Sequence, residues 1–285
     1  MSMSTKVHDE RACILGEGAF WHPELNKLFW CDIIGRRLLC DDGAEWMFDE
    51  HISALGWISE TLLFIASETA LFSFDLGTHV KTKLCDLEAD NPATRSNDGR
   101  ADPQGGFWIG TMGKQAELES GAIYRFYKGE LRRLFAPITI SNAICFSPDG
   151  TVAYFTDTYY SRVMCVPLDA KGWPRAAPKL FLDLSQDGLN PDGAITTADG
   201  DVLIALWGAA RVARYNKFGD FQGSYDMPTD HITCPALGGP DMATLFATSA
   251  QQGLSATKRQ AQPDAGKTFS VDTDLRGLPA PRIIL

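Results

Sequence analysis

The chain has 285 residues and a formal net charge of -10, with a sequence pI near 5.0. That balance excludes the basic surface that a nucleic-acid backbone or an anionic membrane requires. A hydrophobic share of 45%, including 16 Phe, 7 Trp and 7 Tyr, excludes a disordered chain and indicates a globular one, while the acidity alone is explained by solubility and does not point to a metal.

From the start of the chain, Met1 to Ala12 is polar and has no apolar segment of signal-peptide length, so residues 1–12 read as a flexible N-terminal tail and the location as cytoplasmic. No later run approaches the ~20 apolar residues of a membrane span. From Ile14 to Leu254 no linker, charge block or low-complexity stretch interrupts the sequence, and residues 1–285 are expected to form one domain. Six short apolar runs follow in order: Leu28-Phe29-Trp30-Cys31, Leu62-Leu63-Phe64-Ile65, Phe107-Trp108-Ile109, Val152-Ala153-Tyr154-Phe155, Val202-Leu203-Ile204-Ala205 and Leu245-Phe246-Ala247-Thr248. Helical periodicity is nearly absent, so the runs are strands.

Marked by Trp30, Phe64, Trp108, Tyr154, Leu203 and Phe246, the runs lie 34, 44, 46, 49 and 43 residues apart. Turn residues precede most of them, as in Asp102-Pro103-Gln104-Gly105, Ser147-Pro148-Asp149-Gly150 and Thr197-Ala198-Asp199-Gly200, where Gly and Asp suit hairpins. A further strand follows, as in Arg211-Val212-Ala213-Arg214-Tyr215. A period in the forties built from strand meanders predicts an all-β, six-bladed β-propeller; a two-sheet sandwich would not repeat this way.

In a propeller the innermost strands line a central channel, and polar residues where they begin converge on the axis. Counting back 11 to 13 residues from the markers reaches Glu17, Asn97, Asn142 and Asp192, in blades one, three, four and five. Asn and Asp are common before strands, so a single such residue carries little; four at equivalent places suggest a site. Oxygen donors without histidine or thiolate suit Ca²⁺, Mg²⁺ or Mn²⁺ better than Cu²⁺, with Zn²⁺ as a further alternative. His51, Ser53, Thr233 and Cys234 fall near the corresponding positions of blades two and six, as cavity lining or ordinary strand residues. The seven cysteines have no C-x-x-C pair and read as small buried hydrophobes, and the five histidines show no metal-binding spacing.

The segments Leu15-Gly16-Glu17-Gly18, Asn97-Asp98-Gly99-Arg100-Ala101-Asp102-Pro103, Gly110-Thr111-Met112, Ile140-Ser141-Asn142 and Pro191-Asp192-Gly193 resemble, in order and spacing, the signatures of the senescence marker protein / gluconolactonase / regucalcin family. The likeness runs from about Leu15 to Phe269. It implies a six-bladed propeller with one divalent cation on its axis, Ca²⁺ first, held by Glu17, Asn142 and Asp192. It further implies that Arg95 and Asn97 contact substrate; two residues apart on an extended strand, they project to one side. Where the family often has a Glu touching sugar hydroxyls, ungapped alignment puts Gln115.

The resemblance implies a metal-dependent hydrolase of a sugar lactone, a small-molecule substrate, with Asp192 orienting or deprotonating the water. Its rivals are a calcium-binding regulatory protein without turnover and a protein-binding propeller of the WD type, whose signature dipeptides are missing. The particular sugar, the cation and the oligomeric state stay open at this point.

Overall fold

The computed structural model describes residues 4–285. Its strands form six four-stranded antiparallel sheets arranged as the blades of a β-propeller. The innermost strands are Gly16–His22, Ile52–Trp57, Thr94–Ala101, Ser141–Phe146, Asn190–Thr196 and Ile232–Gly238. Each pairs with the strand that carries a marker residue: Lys27–Asp32, Leu62–Ser67, Phe107–Gly113, Val152–Asp157, Val202–Trp207 or Thr244–Ser249.

These second strands read as continuous apolar runs because both of their faces are buried. Side chains alternate across a strand, so Phe29 and Cys31 pack against blade two while Leu28 and Trp30 pack against blade six. The same division operates at Leu63 and Ile65 against Phe64, the former facing blade one and the latter blade three. As a result the core comprises one apolar cluster per blade interface rather than a single central core. The cysteines take part as expected: all seven are free thiols, and Cys13, Cys31, Cys40, Cys145 and Cys234 are buried.

The sixth blade departs from the sequence reading. Its outermost strand is Lys6–Asp9, which pairs antiparallel with Thr268–Asp272 and closes the ring with residues from the other end of the chain. The expectation that residues 1–12 form a flexible tail is therefore wrong for this stretch, and Met1 to Met3 lie outside the described residues. An edge strand is half exposed and held by its backbone, so its polar composition is compatible with pairing. Arg11 anchors the chain just beyond this strand, donating to Cys40 O at 2.6 Å and Ala44 O at 3.0 Å, with its guanidinium 5.2 Å from the Trp30 ring centre.

All six innermost strands carry a register irregularity near their start, between Glu17 and Phe20, Ile52 and Ala54, Ser96 and Gly99, Asn142 and Cys145, Pro191 and Ala194, and Ile232 and Pro235. A bulge re-aims the side chains beside it. In blade one the bend needs Gly18 at φ +61, where an added Cβ would come within 2.5 Å of Ser53 O.

Candidate axial site

At the end of the channel where the inner strands of blades one, four and five begin, Glu17, Arg95, Asn97, Asn142 and Asp192 line one pocket of about 300 Å³. They come from blades one, three, four and five, and each is at most 5% exposed. Met112, Ile140 and Trp207 contribute to the walls, so a polar floor lies below an apolar rim.

A hydrogen-bonded chain runs around this floor. Arg95 Nη1 donates to Asn97 Oδ1 at 2.8 Å, and Asn97 Nδ2 donates to Asn142 Oδ1 at 3.0 Å. Asn142 Nδ2 donates to Thr158 Oγ1 at 2.9 Å, and Thr158 Oγ1 donates to Pro191 O at 2.7 Å, beside Asp192. Thr158 opens a 3-10 turn over Thr158–Tyr160, fixed by Asp157, whose carboxylate accepts from Tyr159 N at 3.2 Å and from Ile140 N at 3.0 Å.

Glu17 and Asp192 line the same pocket, and each carboxyl group acts on the proton affinity of the other. Burial is the main reason both hold protons more tightly than usual, and the negative charge of neighbouring carboxylates adds to it: Glu17 is pushed up to about 8, and Asp192 also rises well above the carboxylate range. Burial works the other way on Arg95, lowering it to about 10, which still leaves it charged at neutral pH. Asp98 lies deeper, is pushed up to about 6 by burial, and accepts from Ile144 N at 2.7 Å through Oδ2, while its Oδ1 has no partner.

The donors fit a hard divalent cation. Two adjacent buried carboxylates need a positive partner, and an amide oxygen accepting from Asn97 keeps a second lone pair open. Among the described residues no three His, Cys, Asp or Glu side chains converge, so the third protein donor would be the amide of Asn142.

Of the residues that the resemblance assigns to the site, Gln115 alone is not brought to this pocket. It is exposed on a tight turn in which Ala116 N donates to Gly113 O at 2.9 Å, and Ala116 lines the rim in its place. Ser53 and Thr233 tie inner strands together instead: Ser53 Oγ donates to Ser96 Oγ at 2.7 Å and Thr233 Oγ1 donates to Gly16 O. His51 Nδ1 lies 2.7 Å from Glu68 Oε2 without hydrogen-bond alignment. The sequence reading missed Thr158 and Trp207, which end the second strands of blades four and five or come directly after them. Trp207 stacks on His231 with ring centres 4.0 Å apart, and His231 Nδ1 lies 2.8 Å from Gln252 O, another lining residue. Their signal was positional, since the far end of a second strand reaches the same mouth as the start of an inner one.

Fold and pocket together define a six-bladed propeller with an acidic, oxygen-rich axial site. Residues 15–251 match the model of the SMP-30/Gluconolactonase/LRE-like region, and the chain belongs to that family. A Rhizobium meliloti protein named as a candidate sugar lactone lactonase is 39% identical over 280 residues, covering 96% of this chain and 95% of its own. The L-arabinolactonase of Azospirillum brasilense is 34% identical, covering 94% and 91% respectively. The crystal structure of a calcium-binding protein, regucalcin, from Agrobacterium tumefaciens superimposes with a TM-score of 0.97 at 39% identity, covering 99% of this chain and 98% of its own. Among the described residues no helix is long and apolar enough to cross a membrane.

Proposed function

We propose that the chain is a divalent-metal-dependent hydrolase of a sugar lactone, with Glu17, Asn142 and Asp192 as the protein ligands of the cation. The observation that supports this reading best is the convergence of two buried carboxylates, two amides and one guanidinium from four blades in a single pocket, within a family whose relatives are named for lactones. Ca²⁺ is the first candidate, with Zn²⁺, Mn²⁺ or Mg²⁺ as alternatives. When bound, the cation would polarise the lactone carbonyl and favour charge on its oxygen.

The remaining chemistry falls to the chain's own side chains. Water attacks the carbonyl carbon, the ring C–O bond breaks, and the ring oxygen leaves with a proton to give the hydroxy acid. Asp192, whose proton affinity burial raises, accepts the water proton and returns it to the leaving oxygen. Arg95 and Asn97, held together at 2.8 Å, bind ring hydroxyls and fix the reacting geometry. Met112, Ile140 and Trp207 exclude bulk water.

A second reading, calcium binding without turnover, is favoured by the likeness to the calcium-binding regucalcin structure. Arg95 argues for the enzyme: it is buried in the pocket, and its hydrogen bonds go to Asn97 and Ser96 O rather than to a carboxylate. The test is a panel of aldonolactones read by acid release, using chelated protein with Ca²⁺, Mg²⁺, Mn²⁺ or Zn²⁺ added back. Cation-dependent turnover of at least one lactone is expected, and none with any cation would give the binding reading its place.

A further inference from the structure

The channel has a second mouth. A cavity of about 300 Å³ opens where the inner strands end, and it shares no lining residue with the axial site. Phe20, Leu55, Ile195 and Ala236 form its apolar wall, and the segment Leu278 to Pro281 crosses it as a roof. That segment is tied down on both sides. Gly277 N donates to Met242 O at 2.8 Å in blade six, Trp57 Nε1 donates to Ala280 O at 2.8 Å, and Arg282 Nε donates to Ile58 O at 2.6 Å in blade two.

Arg100 is the sole charged residue among those lining this cavity. Its Nε donates to Ile144 O at 3.3 Å, and Nη2 approaches Cys234 Sγ at 3.6 Å, a weak acceptor. Among the described residues no carboxylate lies within ion-pair distance, and Nη1 has no protein partner. Of the two acidic groups nearest in sequence, Asp98 turns Oδ2 to Ile144 N and Asp102 pairs with Arg125, so neither is bonded to Arg100. A partly buried guanidinium facing apolar walls, offset only at a distance by the buried Asp98, has room for a bound anion, and a carboxylate is the planar anion that its N–H groups match.

We propose that this second mouth binds a small monocarboxylate with an apolar body, such as an aromatic or branched aliphatic acid, its carboxylate on Arg100 and its body beneath the roof. A single guanidinium with one uncommitted nitrogen suits a monoanion better than a phosphate dianion, which needs more donors. The polyhydroxylated acid released from a sugar lactone would leave its hydroxyls unpaired against Phe20, Leu55 and Ile195, so it is not the ligand.

Calorimetric titration of the cation-loaded protein with sodium benzoate, and with benzamide as a neutral analogue of the same shape, tests this. Benzoate should bind saturably and at least tenfold more tightly than benzamide. Arg100→Met should bring benzoate down to the benzamide level, Arg100→Lys should retain part of the preference, and Arg95→Met should leave it unchanged. In crystals grown with 4-bromobenzoate the bromine should lie beneath the roof, at the end of the ring away from Arg100, a measurement that needs no variant. Equal affinity for the two probes, undiminished binding by Arg100→Met, loss in Arg95→Met, no saturable benzoate binding, or bromine found elsewhere would each overturn the proposal.

Discussion

Asn97 donates to Asn142 Oδ1 across 3.0 Å, so a residue of blade three sets the direction in which an oxygen of blade four faces. Thr158 holds the other end of the same amide. Substituting Thr158→Val keeps the shape and removes both the acceptor for Asn142 Nδ2 and the donor to Pro191 O. Groups that orient metal ligands typically contribute about 10- to 100-fold in affinity. Cation titration should show a loss of that size, with melting of the chelated protein little changed; an unaltered dissociation constant would count against a ligand role for Asn142.

Asp192→Asn should separate two effects that pull in opposite directions. Without a cation, two adjacent buried carboxyl groups can ionise only at a cost, so replacing one with a neutral amide removes part of that cost and the chelated variant should melt no lower than the parent. With cation in hundredfold excess over its dissociation constant, the parent gains about 2.7 kcal/mol of stability by mass action, and the variant should gain little. Thermal scans with and without cation would reveal both. Equal cation-induced shifts would remove Asp192 from the ligand set.

The pH dependence of the metal-free protein comes from the direction of these shifts. A carboxyl group whose folded value lies above its unfolded one supports folding while protonated, and that support fades as pH rises through the folded value. For Glu17, ordinarily 4.5 and about 8 when folded, the window spans these two values; for Asp98 it runs from 3.8 to about 6. Chelated protein should therefore lose stability from about pH 4 to 8, at up to ~1.4 kcal/mol per pH unit for each group. Saturating cation should flatten the profile where Glu17 titrates, because the positive charge replaces the proton. A melting temperature that climbs with pH in chelator would contradict the assignment.

Arg95→Ala distinguishes turnover from simple cation binding. Arg95 contacts Asn97 and Ser96 O, and the variant should bind the cation as well as the parent or better, since a positive neighbour has gone. Loss of a charge-assisted hydrogen bond of ~1.5–3 kcal/mol corresponds to about a ten- to hundredfold fall in kcat/KM. Kinetics and cation titration on one preparation would test both statements, and an unchanged kcat/KM would remove Arg95 from substrate binding.

Away from the axis, Arg125 and Asp102 form an ion pair at 2.6 Å with both side chains fully buried. Tyr127 and Trp173 stack on the guanidinium, with ring centres 4.6 and 4.3 Å from its carbon. Arg125→Met leaves Asp102 charged and unpaired, at a cost of about 3–5 kcal/mol in denaturant unfolding. A loss below about 1 kcal/mol would mean that the carboxylate is satisfied by the backbone N–H groups of Gln104 and Gly106 alone.

The six blades were legible because each second strand is buried on both faces and so leaves an apolar run, as at Phe29-Trp30-Cys31. The axial residues were legible because they precede the marker residues by 11 to 13 positions. Lys6–Asp9 was not, since an edge strand held by its backbone leaves no apolar run, and its partner lies at the other end of the chain. Thr158 and Trp207 were missed for a related reason: they reach the pocket from the far ends of second strands, where no turn residue or charged motif marks them. Gln115 failed because counting along the chain cannot register that the turn from Gly113 to Ala116 directs its side chain outward.

Closure of the sixth blade sets a timetable for biosynthesis. Lys6–Asp9 has to wait for its partner Thr268–Asp272, which lies more than 250 residues further along the chain. Until then blade six lacks both of its outer strands, and the edge of Thr244–Ser249 stays unpaired. Such edges recruit other chains or chaperones, so the ring can be sealed only once Thr268–Asp272 has been made.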